Sequence, residues 1–511
     1  MPYLMGIDVG TTGTRAVVVD EMGRLVGAAT EEYPLHTPRP LWAEQEPADW
    51  WRATRQAIRG AIASSGVDGH EVGGLGLSGQ MHGLVLLDDR NEVLRPAILW
   101  CDQRTQEQCD WITERVGRER LIDLVSNPAL TGFTAPKILW VRQHEPSIYE
   151  RAKKALLPKD YIRFRLTGEF AGEVSDASGT LLFDVRNRKW SAEMLSLLEV
   201  DPGLLPAVYE SPVPSAAVSA ATAEETGLRA GTPVVGGGGD QAAGGVGNGI
   251  VRPGLISSTI GSSGVVFAFT DQPLMDPEGR IHTFCHAVPG KWHVMAVTLG
   301  AGLSLRWFRD ELAPAERLVG GMTGIDPYVF LTQEAEKAPV GSEGLIYLPY
   351  LMGERTPHRD PNAKGVFFGL TGRHTRAHFV RAVLEGVAYS LRDGLEILKS
   401  IGVPLGEVRF SGGGARSKVW RQIQADVFGL HGVTLNVGEG PAFGAALLAG
   451  VGTGVYGSVE EACDATLGVV ERCAPVPSNA RVYEKYYPIY RALYQALKPQ
   501  FDAVTAAVAG S

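Results

Sequence analysis

The chain has 511 residues, 44% of them hydrophobic and 21% charged, with a net charge of −9. That length exceeds what one core sustains and predicts two to four domains, while an acidic balance without a basic tract excludes nucleic acid as the main partner. No segment reaches membrane-spanning length, no basic n-region opens the chain, and the five cysteines are odd in number without a CxxC, so the expectation is a soluble cytoplasmic protein with reduced thiols and no membrane partner.

In chain order, Tyr3–Asp8 reads as an apolar strand, and Ala16–Asp20 and Leu25–Thr30 read as two more. Between the first two lies Gly6-Ile7-Asp8-Val9-Gly10-Thr11-Thr12-Gly13-Thr14-Arg15. An Asp beside glycines and threonines suits a metal–phosphate complex: Gly admits close approach, turn N–H groups cradle the anion, and the carboxylate holds the cation. A tight turn alone gives the same pattern. A Pro-rich loop then leads to a helix near 47–64, with Trp50, Trp51, Ala57, Ile58 and Ile62 as its apolar face.

Leu75–Leu77 reads as a short buried strand, and Ser78-Gly79-Gln80-Met81-His82-Gly83 after it as a ligand-facing loop reading hydroxyls through Gln80 and His82. A turn histidine satisfied by its neighbours is the plainer alternative. Leu84–Asp88 and Ala97–Trp100 are further strands. Trp100, Asp102 and Arg104 can stack on a sugar and bind its hydroxyls, or form a buried Trp beside an ion pair. Residues 136–166 mix helical stretches with turns.

A second start appears near residue 233. Pro233-Val234-Val235 runs into Gly236-Gly237-Gly238-Gly239-Asp240-Gln241, and Leu255–Ile260 with Gly264–Phe269 reads as a hairpin around Gly261-Ser262-Ser263. This repeats the opening in kind, which predicts two related α/β halves meeting near residues 245–252. His282-Thr283-Phe284-Cys285-His286 lacks a second ligand pair and reads as a packed strand, not a zinc site. Phe379, Val383, Val387, Leu391 and Leu395 recur every four residues and mark a long amphipathic helix. Glu407–Phe410, the turn Ser411–Ala415 and a helix capped by Ser417 form a strand–Gly loop–helix unit. Its free N–H groups suit phosphate and its glycines leave room for a base or ribose. No GxxxxGK[ST] and no GxGxxG after a strand stand out, which disfavours P-loop and Rossmann readings.

Phosphoryl transfer needs a metal, donors for the γ-phosphoryl charge and a carboxylate to orient and deprotonate the acceptor hydroxyl. Asp8 is placed for Mg²⁺; Gly10, Thr11, Thr12 and Arg15 for phosphate; Gly261, Ser262 and Ser263 for a second phosphate hairpin; Gly413, Gly414 and Ala415 for the nucleotide; and Asp240 for the base. On spacing alone, the exchange of Asp8 and Asp240 between these roles stays open.

These residues together resemble the FGGY family of carbohydrate kinases. The Asp8–Arg15 segment resembles the family's first phosphate motif. Gly132–His144 resembles its first signature, Gly365-Val366-Phe367-Phe368-Gly369-Leu370 opens its second, and Gly412-Gly413-Gly414-Ala415 resembles the adenosine motif. The match runs in order from about residue 3 to about residue 450. The segments Leu41–Gln45, Ser78–Gly83, Arg95–Trp100, Leu157–Tyr161 and Pro349–His358 resemble those of members acting on D-xylulose.

The resemblance implies an α/β fold of two duplicated actin-like (ribonuclease H-like) ATPase domains with a cleft between them. Residues 1–248 would be the sugar-binding half and 249–511 the adenosine-binding half. It implies a sugar and MgATP as substrates, Mg²⁺ accompanying ATP, and leaves room for a homodimer. It makes Asp240 the proton acceptor and places Asp8 at the metal and phosphate end. It sets Met81 and His82 against the sugar, with Trp100, Asp102, Asp240 and Gln241 beside them. Two departures stand out: Gln241 where Asn is usual, and Cys101 where Asn is common. The rival expectations are a kinase for another ketose or polyol such as ribulose, and a non-catalytic sugar or nucleotide sensor on the same fold. The presence of Asp240 argues against the sensor.

Overall fold

The computed structural model describes residues 3–509. Its first strands, Tyr3–Val9 (β1), Gly13–Val19 (β2) and Leu25–Glu32 (β3), form an antiparallel meander. Val72–Gly79 (β4) lies parallel to β1 on its other side. Pro214–Ala217 (β5), Pro233–Val235 (β6) and Gly238–Gly239 (β7) complete a seven-stranded sheet ordered β5-β6-β4-β1-β2-β3, with β7 also paired to β4.

The second half repeats this plan. Gly254–Ile260 (β8), Gly264–Thr270 (β9), His282–Cys285 (β10), Trp292–Thr298 (β11), Leu405–Gly412 (β12), His431–Leu435 (β13) and Val469–Cys473 (β14) form a sheet ordered β10-β11-β9-β8-β12-β13-β14. Again three strands run antiparallel, two join in parallel, and the far edge is antiparallel. The expected duplication is therefore present in six strands of each sheet, with β7 and β10 lying outside the repeat. The 282–285 segment is the buried edge strand β10.

Seven helices matter for the site: Pro47–Ser65 (α1), Thr134–His144 (α2), Asp240–Gly247 (α3), Gly302–Leu312 (α4), Arg376–Ser400 (α5), Lys418–Phe428 (α6) and Gly440–Gly452 (α7). Pro47 opens α1 and Gly66, in the left-handed region, ends it, an ordinary start and stop for a helix. Its Trp50, Ala57 and Ile58 bury against Met5, Ile7 and Val9 of β1. The other face of β1 is covered by α7, so β1 is buried on both sides and reads as an apolar run.

The α7 helix comes from the second half and packs on β1, β4 and α3. Glycines permit the approach: a Cβ on Gly6 would lie 1.8 Å from the Ala442 carbonyl oxygen, and one on Gly76 1.9 Å from that of Ala445. The halves are thus interlocked by backbone-to-backbone packing beneath the cleft. The α5 helix departs from the amphipathic expectation, because it is buried almost all round. A final helix, Pro477–Ala509, lays Tyr483, Tyr487 and Tyr490 against Tyr389 and so covers the face that would have met solvent.

Candidate active site

Asp8 and Asp240 leave neighbouring strand ends. Asp8 stands opposite Ser78 in the β1–β4 pairing, and Gly239, just before Asp240, stands opposite Gly79 in the β7–β4 pairing. The two carboxylates therefore flank the end of β4 and face each other across it. Both side chains retain partial solvent access at the cleft. The Ser78 hydroxyl donates to Asp8 Oδ1 at 2.9 Å, and the Gln241 N–H donates to Asp240 Oδ1 at 2.8 Å. Burial pushes the Asp8 carboxyl up to about 6 against the pull of Ser78. Burial, then the charge of Asp8, pushes Asp240 up to about 7. Two ionisable carboxyls so poised fit a cation at one and a proton at the other.

The glycine run before Asp240 rests on buried charge. The Lys159 amine donates to Asp160 Oδ1 at 2.5 Å and to the Gly236 carbonyl at 3.4 Å, and the Gly239 N–H donates to Ser175 Oγ at 3.1 Å. The fully buried Glu173 carboxylate accepts from Ser175 N–H and hydroxyl and from Ser211 Oγ. Sequence reading assigned this layer no role. Lys159, Asp160, Glu173, Ser175 and Ser211 lie 29 to 81 residues from Asp240, and no local pattern joins them.

In the Gly10–Gly13 turn, Gly10 N–H donates to the Gly13 carbonyl at 3.0 Å. Thr11 turns its hydroxyl inward: it accepts from Trp100 Nε1 at 2.9 Å and donates to Gln80 Oε1 at 3.3 Å. Gln80 Nε2 donates to Gln45 Oε1 at 3.0 Å, and Gln45 Nε2 to the Thr11 carbonyl at 2.7 Å. Gln80, read from sequence as facing a ligand, instead braces the Gly10–Gly13 turn. Thr12 is exposed. Arg15 forms an ion pair with Glu439 at the start of α7 and donates to Thr30 Oγ1 at 2.7 Å, so its guanidinium bridges the two halves.

Met81 packs where a Cβ on Gly239 would lie, next to Asp240. His82 follows with φ +70 and partial exposure. Its Nδ1 lies 2.7 Å from the Gly179 carbonyl, which can only accept, so Nδ1 carries the proton and Nε2 is left as an acceptor. Burial, then the charge of Lys137, lowers the imidazole to about 3 and keeps it neutral. The buried Lys137 amine donates to the His82 carbonyl at 2.8 Å and to the Gly132 carbonyl at 2.5 Å, and Thr134 Oγ1 donates to the His82 carbonyl at 3.1 Å. Lys137 and Thr134 belong to the motif that carries the family resemblance, but a main-chain acceptor 55 residues away leaves no trace in the sequence.

Trp100 borders this loop, half-buried, with its indole N–H on Thr11. Asp102 is fully buried beneath it. Its carboxylate accepts from Ala43 N–H at 2.7 Å and from the Arg104 backbone and guanidinium, and presents no oxygen to the cleft. Of the two alternatives read from sequence, the geometry around Asp102 matches the ion pair. Cys101 is half-buried, and Gln241 lines the cleft beside Asp240.

The second half brings its predicted loops together. Gly261 N–H donates to the Ser263 carbonyl at 3.0 Å, and Gly412, with φ +74, stands opposite Ile260 in the β8–β12 pairing. The turn of Gly413, Gly414 and Ala415 therefore adjoins the Gly261–Ser263 hairpin. Ser417 Oγ caps α6 by accepting from Trp420 N–H at 3.2 Å. The structure adds the start of α4: Gly302 and Leu303 N–H donate to the Gly261 and Ser262 carbonyls, and Arg306 donates to Ser262 Oγ at 3.0 Å. Among the described residues no group of three or more His, Cys, Asp or Glu is arranged to hold a metal by itself.

Comparison with known proteins agrees with this layout. Models of the FGGY family of carbohydrate kinases match residues 3–247 (N-terminal domain) and 256–453 (C-terminal domain). The chain is 42% identical to the xylulose kinase of Escherichia coli (strain K12), covering 97% of this chain and 99% of that one. It is 38% identical to the xylulose kinase of Bacillus subtilis (strain 168), covering 98% of each. The solved xylulose kinase of Rhodospirillum rubrum superposes with a TM-score of 0.89 at 31% identity, covering 98% of this chain and 100% of that one.

Proposed function

The chain belongs to the FGGY family of carbohydrate kinases, and from that premise we propose the reaction it performs: transfer of the γ-phosphoryl group of MgATP to the 5-hydroxyl of D-xylulose. The products are D-xylulose 5-phosphate and ADP. The observation that carries this reading is the pair of cleft carboxylates, Asp8 and Asp240, at adjoining strand ends beside the Met81–His82 loop. The likeness to xylulose kinases along nearly the whole chain supports the choice of sugar.

Asp240 orients the 5-hydroxyl and takes its proton as that oxygen bonds to the γ-phosphorus. The bond from phosphorus to the β,γ-bridging oxygen breaks, and ADP leaves with the electron pair. Asp8, with one oxygen held by Ser78, serves the metal end of MgATP. Neutral His82 offers Nε2 to a sugar hydroxyl. The Gly261–Ser263 hairpin, the start of α4 and the Gly413–Ala415 turn cradle the nucleotide. We take residues 1–248 as the sugar half and 249–511 as the adenosine half, with closure excluding water. No described helix is long and apolar enough to cross a membrane, and all five cysteines are free, which suits a cytoplasmic reaction drawing on cellular ATP.

Two outcomes check this reading. Phosphorus NMR of the reaction mixture is expected to show one new phosphomonoester, coupled to the C5 protons of the pentulose. A monoester formed faster on D-ribulose or on a sugar acid would keep the chemistry and replace the substrate. Lys137→Met removes the donor that fixes the His82 carbonyl and is expected to raise KM for the sugar roughly 10-fold, leaving KM for ATP unchanged. Equal rises in both constants would show general loosening instead.

A further inference from the structure

The glycines before Asp240 give their N–H groups to different kinds of partner. Gly236 N–H donates to the Val213 carbonyl at 3.0 Å and Gly237 N–H to the Ser211 carbonyl at 2.9 Å, both main-chain oxygens. Gly239 N–H, the donor next to Asp240, meets a side chain instead, the fully buried Ser175 Oγ at 3.1 Å. Ser175 is itself held: its hydroxyl donates to Glu173 Oε1 at 2.8 Å and its N–H to Glu173 Oε2 at 2.7 Å. With its one proton given to Glu173, the Ser175 oxygen is oriented to accept from Gly239.

The same segment reaches the sugar loop. Ser175 lies in the short helix Val174–Ala177, and four residues further on the Gly179 carbonyl accepts from His82 Nδ1 at 2.7 Å. A Cβ on Gly179 would lie 2.4 Å from that nitrogen, so the imidazole rests on the main chain there. Residues 173–179, all buried, therefore join the support of Asp240 to the support of His82 in one continuous stretch of chain.

Stability alone does not account for this construction. Lys159 Nζ stands among three buried carboxylates, 2.5 Å from Asp160, 3.8 Å from Asp176 and 4.0 Å from Glu173. Among the described residues no hydrogen bond reaches either buried Asp176 oxygen. Charges held this way are costly, and well-packed apolar side chains of similar volume are often as stabilising or more so. What a buried, hydrogen-bonded layer supplies is a fixed position for the group it carries.

Resting on the function proposed above, we propose that Ser175, oriented by Glu173, is a positioning residue for phosphoryl transfer. It fixes the main chain at Gly239, and with it the placement of the Asp240 carboxylate relative to His82. Ser175 acts through Asp240, on the alignment of the attacking hydroxyl.

The test is steady-state kinetics with D-xylulose and MgATP, accompanied by melting curves, on wild type, Ser175→Ala, Ser175→Thr and Ser178→Ala. Ser178 Oγ accepts from Cys285 N–H at 3.0 Å, so Ser178→Ala removes the same kind of bond at an N–H that does not adjoin Asp240. Ser175→Ala is expected to lower kcat about 10- to 100-fold, with KM for sugar and for ATP within about 3-fold of wild type. Ser175→Thr keeps the hydroxyl and is expected to recover part of kcat. Ser178→Ala is expected to melt lower than wild type with kcat within about 2-fold of it. If Ser175→Ala does not fold, Ser175→Cys, of similar shape but a weak acceptor, takes its place with a fall in kcat expected. A kcat at the wild-type level in the folded Ser175 variant, or an equal loss of kcat in Ser178→Ala, would overturn the positioning role. Wild type lacking sugar-dependent turnover would instead overturn the underlying function, an outcome visible before any variant is compared.

Discussion

Asp240→Asn is expected to lower sugar-dependent kcat about 10²- to 10⁴-fold while leaving KM for the sugar close to wild type, because it removes the proton acceptor and keeps the shape. The pH profile follows from the same group. Asp240 acts only when ionised, and burial and the Asp8 charge hold it near 7, so kcat/KM of wild type is expected to rise as pH passes through about 7. Stability runs the other way. A carboxyl raised from 3.8 to about 7 contributes stability fully present below pH 3.8 and lost as pH rises through 7. The asparagine variant is therefore expected to melt higher than wild type at pH 8, by an amount set by on the order of 4 kcal/mol at most, and to converge with it near pH 4. Stability–pH curves for the two proteins that stay parallel would show that Asp240 is not the strained group described here.

Gly6→Ala is expected to cost more than about 3 kcal/mol and to lower both soluble yield and melting temperature. The added Cβ would lie 1.8 Å from the Ala442 carbonyl oxygen and 2.8 Å from Ala446 N, both main-chain atoms that no rotamer change can move aside. Relief requires α7 to lift off β1. That motion would also carry Glu439 away from Arg15 and disturb the strand that ends in Asp8. Gly66→Ala provides the contrast. Its φ of +68 makes it strained too, but nothing lies within 4 Å, so its cost is expected near 1 kcal/mol. Similar melting temperatures for the two variants would refute the interlock as a determinant of stability.

What the sequence disclosed about the site follows from how local each signal is. A strand, a glycine turn and an aspartate within ten residues are all present in Gly6–Arg15 and again before Asp240, so both carboxylates were legible. The Gly261–Ser263 and Gly413–Ala415 turns were legible as glycine turns for the same reason. Their adjacency was not, since the Gly412–Ile260 pairing joins positions 152 residues apart. Long-range bonds account for the rest: Arg15 meets Glu439 across 424 residues, and Lys137 reaches the carbonyl of His82. Trp100 and Asp102 show the limit of reading side-chain type alone. Both are chemically fit to bind a sugar, yet the indole N–H is spent on Thr11 and the carboxylate on Arg104 and Ala43. In α5 the four-residue period identified the helix correctly, but the tyrosines of the last helix, an element to which no periodicity pointed, covered its outer face.

The duplicated sheets and the helix crossing between them explain how segments distant in sequence, such as those ending in Asp8 and Asp240, come to adjoin. Substrate-dependent transfer is the claim on which the rest stands. It is tested most directly by initial rates of ADP release from MgATP with D-xylulose, with D-ribulose, and with no sugar. The account predicts turnover that depends on sugar, is highest with D-xylulose and is near background without an acceptor. ADP release at the same rate in all three mixtures would contradict it and leave an ATPase without a sugar substrate.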